Sequence, residues 1–173
     1  MNLPKKYYKK CDDFIICNYE AEKGVIGNEY GGYRTTLYQI IVKGSGKLAK
    51  LFDSNVKDLS VSSGRLVDVR DLLGKDVVFQ FSEDTEVFGF NTLDVKQDWN
   101  AQLITETFTA SEDSWIICFD GKSSVNGKDF EKYDYSKVTK GTEYKVTLNN
   151  SILVLFTKVW YQRQTLNVCM NGL

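Results

Sequence analysis

The side chains able to do acid–base or metal chemistry in this chain are carboxylates, tyrosines and cysteines, because its 173 residues include no histidine. Histidine changes charge near neutral pH and activates the nucleophile of Ser-His-Asp and Cys-His sites. Both kinds of site are therefore excluded. The chain has ten tyrosines, and a tyrosine beside a carboxylate or a lysine could still exchange protons with a substrate.

The carboxylates cluster in segments that look like loops and turns. These segments are SEDTE at 82–86, SED at 111–113 and DFEKYDY at 129–135. A Mg²⁺ or Ca²⁺ site needs several oxygen ligands around one point, whereas these segments are typical of solvated turns. Glu106, inside the strand-like segment TETFT, is the exception. We expect no bound metal and no cofactor.

The four cysteines, at 11, 17, 118 and 169, fit no metal-binding or redox spacing. Cys17 in FIIC and Cys118 in IIC have the surroundings of buried strand thiols. We expect structural thiols, with a disulfide only if the protein is exported.

Short apolar runs rich in Val, Ile, Phe, Tyr and Thr fill most of the chain and predict a mostly-β protein. Pro4 is the one proline, so the turns between the runs are made by glycine, Asn, Asp and Ser, in segments such as GSG and SSG. The segment NTLDVKQDWNAQLITE, at 91–106, comes closest to a helical period and leaves room for one short helix.

A pattern near residue 40 recurs 77 residues later, which indicates an internal repeat. The glycines at 44 and 64 match those at 121 and 141, so both pairs are 20 residues apart. The other matches are Tyr38 with Trp115, Ile40 with Ile117, Val42 with Phe119, Val61 with Val138, Val69 with Val146, and 77–79 with 154–156. Two such β units can cover each other's apolar faces, and a closed barrel leaves no unpaired strand edges.

The segments GGYRTTLYQIIVKGSG and LSVSSGRLVDV resemble the two motifs of the cupin superfamily. The resemblance covers about 31–81 and, more faintly, 114–159. It implies a cupin-like double-stranded β-helix, a jelly-roll-type barrel built from two similar β units with at most a short helix. We predict a single domain with an N-terminal arm and first strands in 1–30, a barrel in 31–173, and a repeat relating about 33–81 to 110–158.

The resemblance does not extend to the metal ligands, which in typical cupins are three histidines and a glutamate. Tyr33 and Thr35 stand where the paired histidines would fall, and Gln39 is nearest the acidic position. Ser62 replaces the turn proline, and Val67 holds the later histidine position. Imidazole is the ligand that suits Fe, Mn, Ni or Zn, so no metal chemistry carries over to these positions.

We expect a non-catalytic scaffold or interaction protein that acts through protein partners or self-association. Aromatic residues near Arg and Gln are typical of contact surfaces, and four lie near the ends of the barrel: Tyr7, Tyr8, Trp160 and Tyr161. Each of these could instead cap the barrel. The lysine-, asparagine- and tyrosine-rich composition favours a viral or phage protein, as a virion or assembly component or an accessory factor.

The alternative is a small-molecule site inside the barrel, for a sugar or a nucleotide. Barrels of this size can hold one ligand. Isomerase or epimerase chemistry with tyrosine and carboxylate and without a metal is the enzymatic form of this alternative. The candidate ligand-binding residues are Tyr33, Thr35, Gln39, Glu106 and Trp115, although either face of the strand after Gly31 could point inward. Buried Tyr33 and Gln39 around an open cavity would favour the pocket, and a barrel filled with Ile, Val and Phe would favour the scaffold.

The bulk composition is that of an ordinary globular protein, with 42% hydrophobic residues and a net charge of −1. That charge makes nucleic acid an unexpected partner; the one basic cluster, KKYYKK at 5–10, is typical of a solvated arm. No apolar stretch has the length of a signal peptide or a membrane span. We therefore expect a cytoplasmic location, in a host cytoplasm or a virion if the protein is viral, and no membrane association.

Overall fold

In a computed structural model, the protein is described over residues 6–24, 26–27, 36–50, 59–68 and 77–159. These residues form strands, turns and bends without a helix, so the all-β prediction is confirmed. The short helix that the sequence allowed at 91–106 is replaced by the end of a strand, a turn and another strand. The chain folds as two compact units, unit 1 (Met1–Val95) and unit 2 (Lys96–Leu173).

Unit 1 contains nine strands in two sheets. One sheet has the order β1-β2-β9-β4-β7, and the other has the order β3-β8-β5-β6. This is the strand arrangement of a jelly roll, with an extra strand β1 at one edge. The strands are β1 (Lys6–Lys10), β2 (Phe14–Ala21), β3 (Ile26–Gly27), β4 (Thr36–Lys43), β5 (Ser45–Lys50), β6 (Leu59–Ser62), β7 (Leu66–Asp68), β8 (Val77–Phe81) and β9 (Thr85–Thr92).

Unit 2 contains seven strands, two of them long. β12 and β16 pair along most of their length, β10 pairs with β16, and β13 and β14 pair with different parts of β12. A short pair of β11 and β15 completes the unit. The strands are β10 (Asp98–Ile104), β11 (Phe108–Thr109), β12 (Ser114–Val125), β13 (Lys128–Phe130), β14 (Tyr135–Val138), β15 (Glu143–Tyr144) and β16 (Val146–Val159).

Glycine bends the first long strand of each unit. Gly44, with φ +107°, separates β4 from β5, and Gly121, with φ +72°, lies inside β12. A Cβ at Gly44 would lie 2.8 Å from the Thr85 Cα, and one at Gly121 would lie 2.7 Å from the Ser151 Cα. Both positions therefore need glycine for the positive φ and for the close approach of the opposite strand.

The strand pairings of the two units agree position by position around these bends. The first strands match at the predicted offset of 77. The corresponding pairs are Tyr38–Phe90 with Trp115–Phe156, Gln39–Gly89 with Ile116–Leu155, and Ile40–Phe88 with Ile117–Val154. Both ladders also have a register shift just before the glycine, at Ile41/Lys43 and at Cys118/Asp120. The internal repeat is thus a repeat of structure.

After the first strand the offset of 77 is wrong, because unit 2 has a shorter connection. Asn126 and Gly127, both with positive φ, join β12 to β13 directly, whereas residues 51–58 lie between β5 and β6. By pairing, β6 and β7 match β13 and β14 at an offset of 69, and β8 and β9 match β16 at 67 and 66.

The counterpart of Gly64 is consequently Tyr133 rather than Gly141. The Gly64 amide donates to the Ile41 carbonyl at 2.7 Å, and the Tyr133 amide donates to the Cys118 carbonyl at 2.8 Å. Tyr133 has φ +78°, an unusual value for a residue with a side chain.

Each unit has its own buried cluster between strands. In unit 1 the cluster comprises Cys17, Tyr19, Ala21, Ile41, Val61, Val67, Phe81 and Val87. In unit 2 it comprises Ile104, Ala110, Ile116, Cys118, Val125, Phe130, Val138 and Leu153, with five further apolar side chains packed against it. We call the sheet side that carries each cluster the inner face of that unit.

Candidate functional site

Gln39 is a buried polar residue on the inner face of unit 1. It follows the alternation of β4, two residues before Ile41 of the buried cluster, and is 1% exposed. Its ladder partners are Gly89 on β9 and Val67 on β7. The placement agrees with the prediction that this glutamine lies inside a barrel.

Gly89 leaves space beside Gln39. A Cβ at Gly89 would make ordinary contacts, 3.6 Å from Tyr19 Cε2, 3.8 Å from Thr36 Cγ2 and 4.0 Å from Asn91 Nδ2. The glycine also pairs with Cys17 on its other side. The backbone of β9 is therefore bordered by polar and aromatic side chains at this point, with no side chain of its own.

Hydrogen bonds connect three of these neighbours. The Thr36 hydroxyl donates to the Asn91 carbonyl oxygen, and the Asn91 amide donates to Cys17 Sγ at 2.9 Å. The Gln39 Nε2 group, in contrast, is buried and has no hydrogen-bond partner among the residues that the structure describes. A buried unpaired donor costs roughly 1–3 kcal/mol, so the amide is either a local defect or the place where a ligand atom accepts a hydrogen bond.

The other predicted ligand-binding residues lie elsewhere. Glu106 is exposed in a bend between β10 and β11 of unit 2. Trp115 is buried on β12, but it alternates with Ile116 and Cys118 and so lies on the face opposite the buried cluster. Tyr33 and Thr35 fall outside the described residues. The predicted set is therefore divided between the two units and stays a prediction.

Trp115 belongs to an aromatic and lysine cluster of unit 2. Its ring meets the Trp99 ring edge-on with centroids 5.4 Å apart. The Lys158 Nζ lies 5.4 Å from the Trp115 centroid and 5.7 Å from the Trp99 centroid, and the Lys137 Nζ lies 5.9 Å from that of Trp115. Cation–π contacts of this kind stabilise the packing of the indole rings.

Of the predicted interface residues, Tyr8 is the one whose side chain is described. It is 56% exposed on β1, which is the edge strand of its sheet. Tyr7 also lies on β1, although its side chain is outside the described residues, as are Trp160 and Tyr161. The lysines of the basic cluster at 6, 9 and 10 belong to the same edge strand.

The inner face of unit 2 is apolar at the positions that match the polar ones of unit 1. Ile116 corresponds to Gln39, and Leu155 corresponds to Gly89. Cys118, inside this cluster, has its thiol pKa raised to about 11, mainly by burial, while hydrogen bonds from its surroundings, including Ser123, oppose the shift. The thiol is therefore protonated at neutral pH and is not a reactive nucleophile.

A shallow cavity of about 280 Å³ lies on the sheet formed by β12, β13 and β16. Polar side chains line most of it, and Lys122 and Glu131 form an exposed ion pair across 3.7 Å. Such exposed pairs contribute little to stability. The lining residues are Lys122, Ser123, Ser124, Asp129, Phe130, Glu131, Thr147 and Asn149.

Three residues of the Gln39 site were not predicted as site residues. Thr36, Gly89 and Asn91 lie in strands that are buried on both faces, so no alternation of polar and apolar residues marks them. The one available signal was an asparagine inside the apolar run VFGFN, at 87–91.

Within the described residues, no group of three or more Cys, Asp or Glu side chains is arranged to hold a metal ion, and no helix could cross a membrane. Among them, Cys11, Cys17 and Cys118 are free, buried thiols.

Solved structures of similar fold cover most of the chain. HutD from Pseudomonas fluorescens SBW25 is 9% identical, covers 86% of this chain and 80% of its own, and has a TM-score of 0.54. The conserved protein of unknown function PA5104 from Pseudomonas aeruginosa PAO1 is 10% identical, with 88% and 86% covered and a TM-score of 0.53. A cupin 2 conserved barrel domain protein from Leptotrichia buccalis is 10% identical, with 88% and 87% covered and a TM-score of 0.39.

No family model matches the chain, and no curated protein matches it in sequence. The chain has a degenerate cupin-type fold, as the predicted resemblance implied. At these identities the structural likeness shows the fold alone.

Proposed function

We propose that this protein is a non-catalytic cupin-like interaction protein. The observation that carries the proposal is the filled inner face of unit 2, where aliphatic and aromatic side chains occupy the place of a ligand. A filled interior is what the sequence-based hypothesis of a scaffold expects. The protonated Cys118 thiol supports the same conclusion, because the nucleophile buried there is inactive. Function then depends on surfaces that bind protein.

The mass of the purified protein in solution, followed by crosslinking to candidate partners, tests this proposal. We expect either self-association or a stoichiometric complex with a partner. Replacing Tyr8, Trp160 and Tyr161 with alanine should weaken a complex formed by the predicted interface. A strictly monomeric protein that binds no partner would contradict the proposal. A role in a virion, in assembly or as an accessory factor remains a prediction from composition.

A second function, binding of a small molecule in unit 1, is favoured by the unpartnered Gln39 amide beside Gly89. An uncharged oxygen of a sugar or a nucleotide base could accept a hydrogen bond from Nε2. Thermal unfolding measured with sugars, nucleotides and divalent ions tests it, because a ligand that binds the folded state raises the melting temperature. A shift that is lost in Gln39→Met and kept in Ile116→Val would support this site. No shift with any compound would count against it, and isomerase or epimerase activity stays a prediction.

A further inference from the structure

The outer edge of β10 is the clearest difference between the two units at the level of strand pairing. In unit 1 the equivalent strand, β2, is covered by β1 over five residue pairs. In unit 2, β10 pairs with β16 on one side and is an edge strand among the described strands. Edge strands present unpaired backbone N–H and C=O groups that can accept another strand.

This edge lacks the features that usually prevent such pairing. Its seven pairs with β16 run without a register shift, so no bulge twists the edge away. The stretch Trp99–Ile104 carries no charge, no proline and no glycine. By contrast, β1, the edge strand of unit 1, has lysines at three of its five positions. Lysine on an edge strand is a common device against edge-to-edge association.

The side chains on β10 are compatible with a second copy of the same strand. Leu103 is 37% exposed, and Asn100 and Gln102 are exposed amides. An antiparallel pair centred on Ala101 would place Asn100 opposite Gln102 of the second copy, and Trp99 opposite Leu103. The two copies of Asp98 would then be about 20 Å apart along the strands, which is beyond the screening length at physiological salt.

We propose that two copies of this chain associate by antiparallel pairing of β10 with β10. The inference deepens the proposed interaction function and rests on it, naming the surface and the partner. A pair of seven-residue strands is a small interface, so we expect a dissociation constant on the order of micromolar. The two-fold pairing would continue the sheet of unit 2 through the dimer.

Sedimentation of the purified protein from about 1 to 500 µM tests the proposal with a matched pair of variants. Leu103→Lys places a charge on the edge and should raise the dissociation constant at least about tenfold. Leu93→Lys makes the same change at a residue of similar exposure, 42%, in the turn after β9, and should leave it unchanged. Equal dimerisation of both variants would overturn the proposal.

Crosslinking and hydrogen exchange report the register without relying on a disruptive variant. In a Cys169→Ser background, Ala101→Cys should form a disulfide between copies on mild oxidation, because the two Cα atoms would be about 5 Å apart. Val95→Cys, in the exposed turn, is the control. Amides of 99–103 should exchange more slowly as wild-type concentration rises, while those of β1 should not. Unchanged protection at 99–103 would contradict the pairing.

The outcomes also separate this inference from the proposed function. If the wild type dimerises and Leu103→Lys has no effect, the β10 edge is wrong and the interaction function stands. If the wild type is monomeric but binds another protein, the same holds. If it is monomeric and binds nothing, both are wrong.

Discussion

The inner faces of the two units carry different residues on the same set of strand pairings. In unit 1, Gln39 and Gly89 face each other across β4 and β9, and Asn91 bonds to Cys17. In unit 2 the positions of Gln39 and Gly89 are occupied by Ile116 and Leu155. The bends, bulges and ladder registers are shared, so backbone geometry is insensitive to what fills the interior. A cupin-type unit can therefore lose or keep an internal site without changing its framework.

The largest expected effect comes from the bends that the units share. Gly121→Ala should lower the free energy of unfolding by about 4 kcal/mol, because its Cβ would lie 2.2 Å from the Asn150 carbonyl oxygen at φ +72°. Gly44→Ala should have a similar effect. Gly127→Ala, with positive φ but no neighbour within 4 Å, is the control and should cost about 1 kcal/mol. Denaturant unfolding measures all three, and tolerance of one bend variant alone would break the equivalence of the bends.

Exchanging the interior residue of unit 2 for that of unit 1 should have the next largest effect. Ile116→Gln would bury an amide in an apolar cluster and should destabilise the protein by about 3 kcal/mol. Ile116→Val, which keeps the site apolar, should cost about 1 kcal/mol. If both variants unfold at the same denaturant concentration, the interior of unit 2 accepts a polar group as readily as unit 1 does.

The Cys118 thiol should make stability depend on alkaline pH. Its pKa rises from 9.0 to about 11 on folding, so the unfolded chain loses its proton first, and stability falls as pH rises from about 9 to 11. The loss should reach about 2 kcal/mol. The difference in unfolding free energy between wild type and Cys118→Val should therefore change over this range and stay constant from pH 6 to 8. A constant difference throughout would mean that the thiol is solvated.

The smallest expected effect distinguishes a packing defect from a binding site in unit 1. Gln39→Met has nearly the same shape and removes the unpartnered Nε2 donor, so it should stabilise the ligand-free protein by about 1 kcal/mol. Destabilisation, measured in the same denaturant titration, would show that the amide has a partner in the folded protein, and the contrast between the two interiors would then be smaller.

The sequence predicted the parts of this fold that depend on local pattern. The all-β composition, the equivalence of Ile40 with Ile117 and the need for glycine at 44 and 121 all follow from short-range chemistry. The single offset of 77 was wrong beyond that strand because a two-residue turn in unit 2 replaces a longer connection, and the glycines at 64 and 141 still happened to match. Register after a loop is set by loop length, which a glycine pattern does not encode.

Burial of Gln39 was predicted, but its neighbours were not. A register shift between Thr36 and Tyr38 breaks the alternation of β4, so Thr36 bonds to Asn91 although it differs in parity from Gln39. Trp115 was assigned to a ligand site on the basis of its residue type, yet it alternates with the interior residues of β12. For a strand buried on both faces, side-chain direction follows from pairing rather than from hydrophobicity.

β12 and β16 run for 12 and 14 residues and pair on both sides of the bend at Gly121. Opening the ladder at one end of such a ribbon strains the other end, because no loop separates the two stretches. Unit 2 should therefore open as one cooperative block in native-state hydrogen exchange. A molecule bound at its β10 side would slow the exchange of amides at its β13 side, so the continuous ribbon can transmit stiffness without any change of shape.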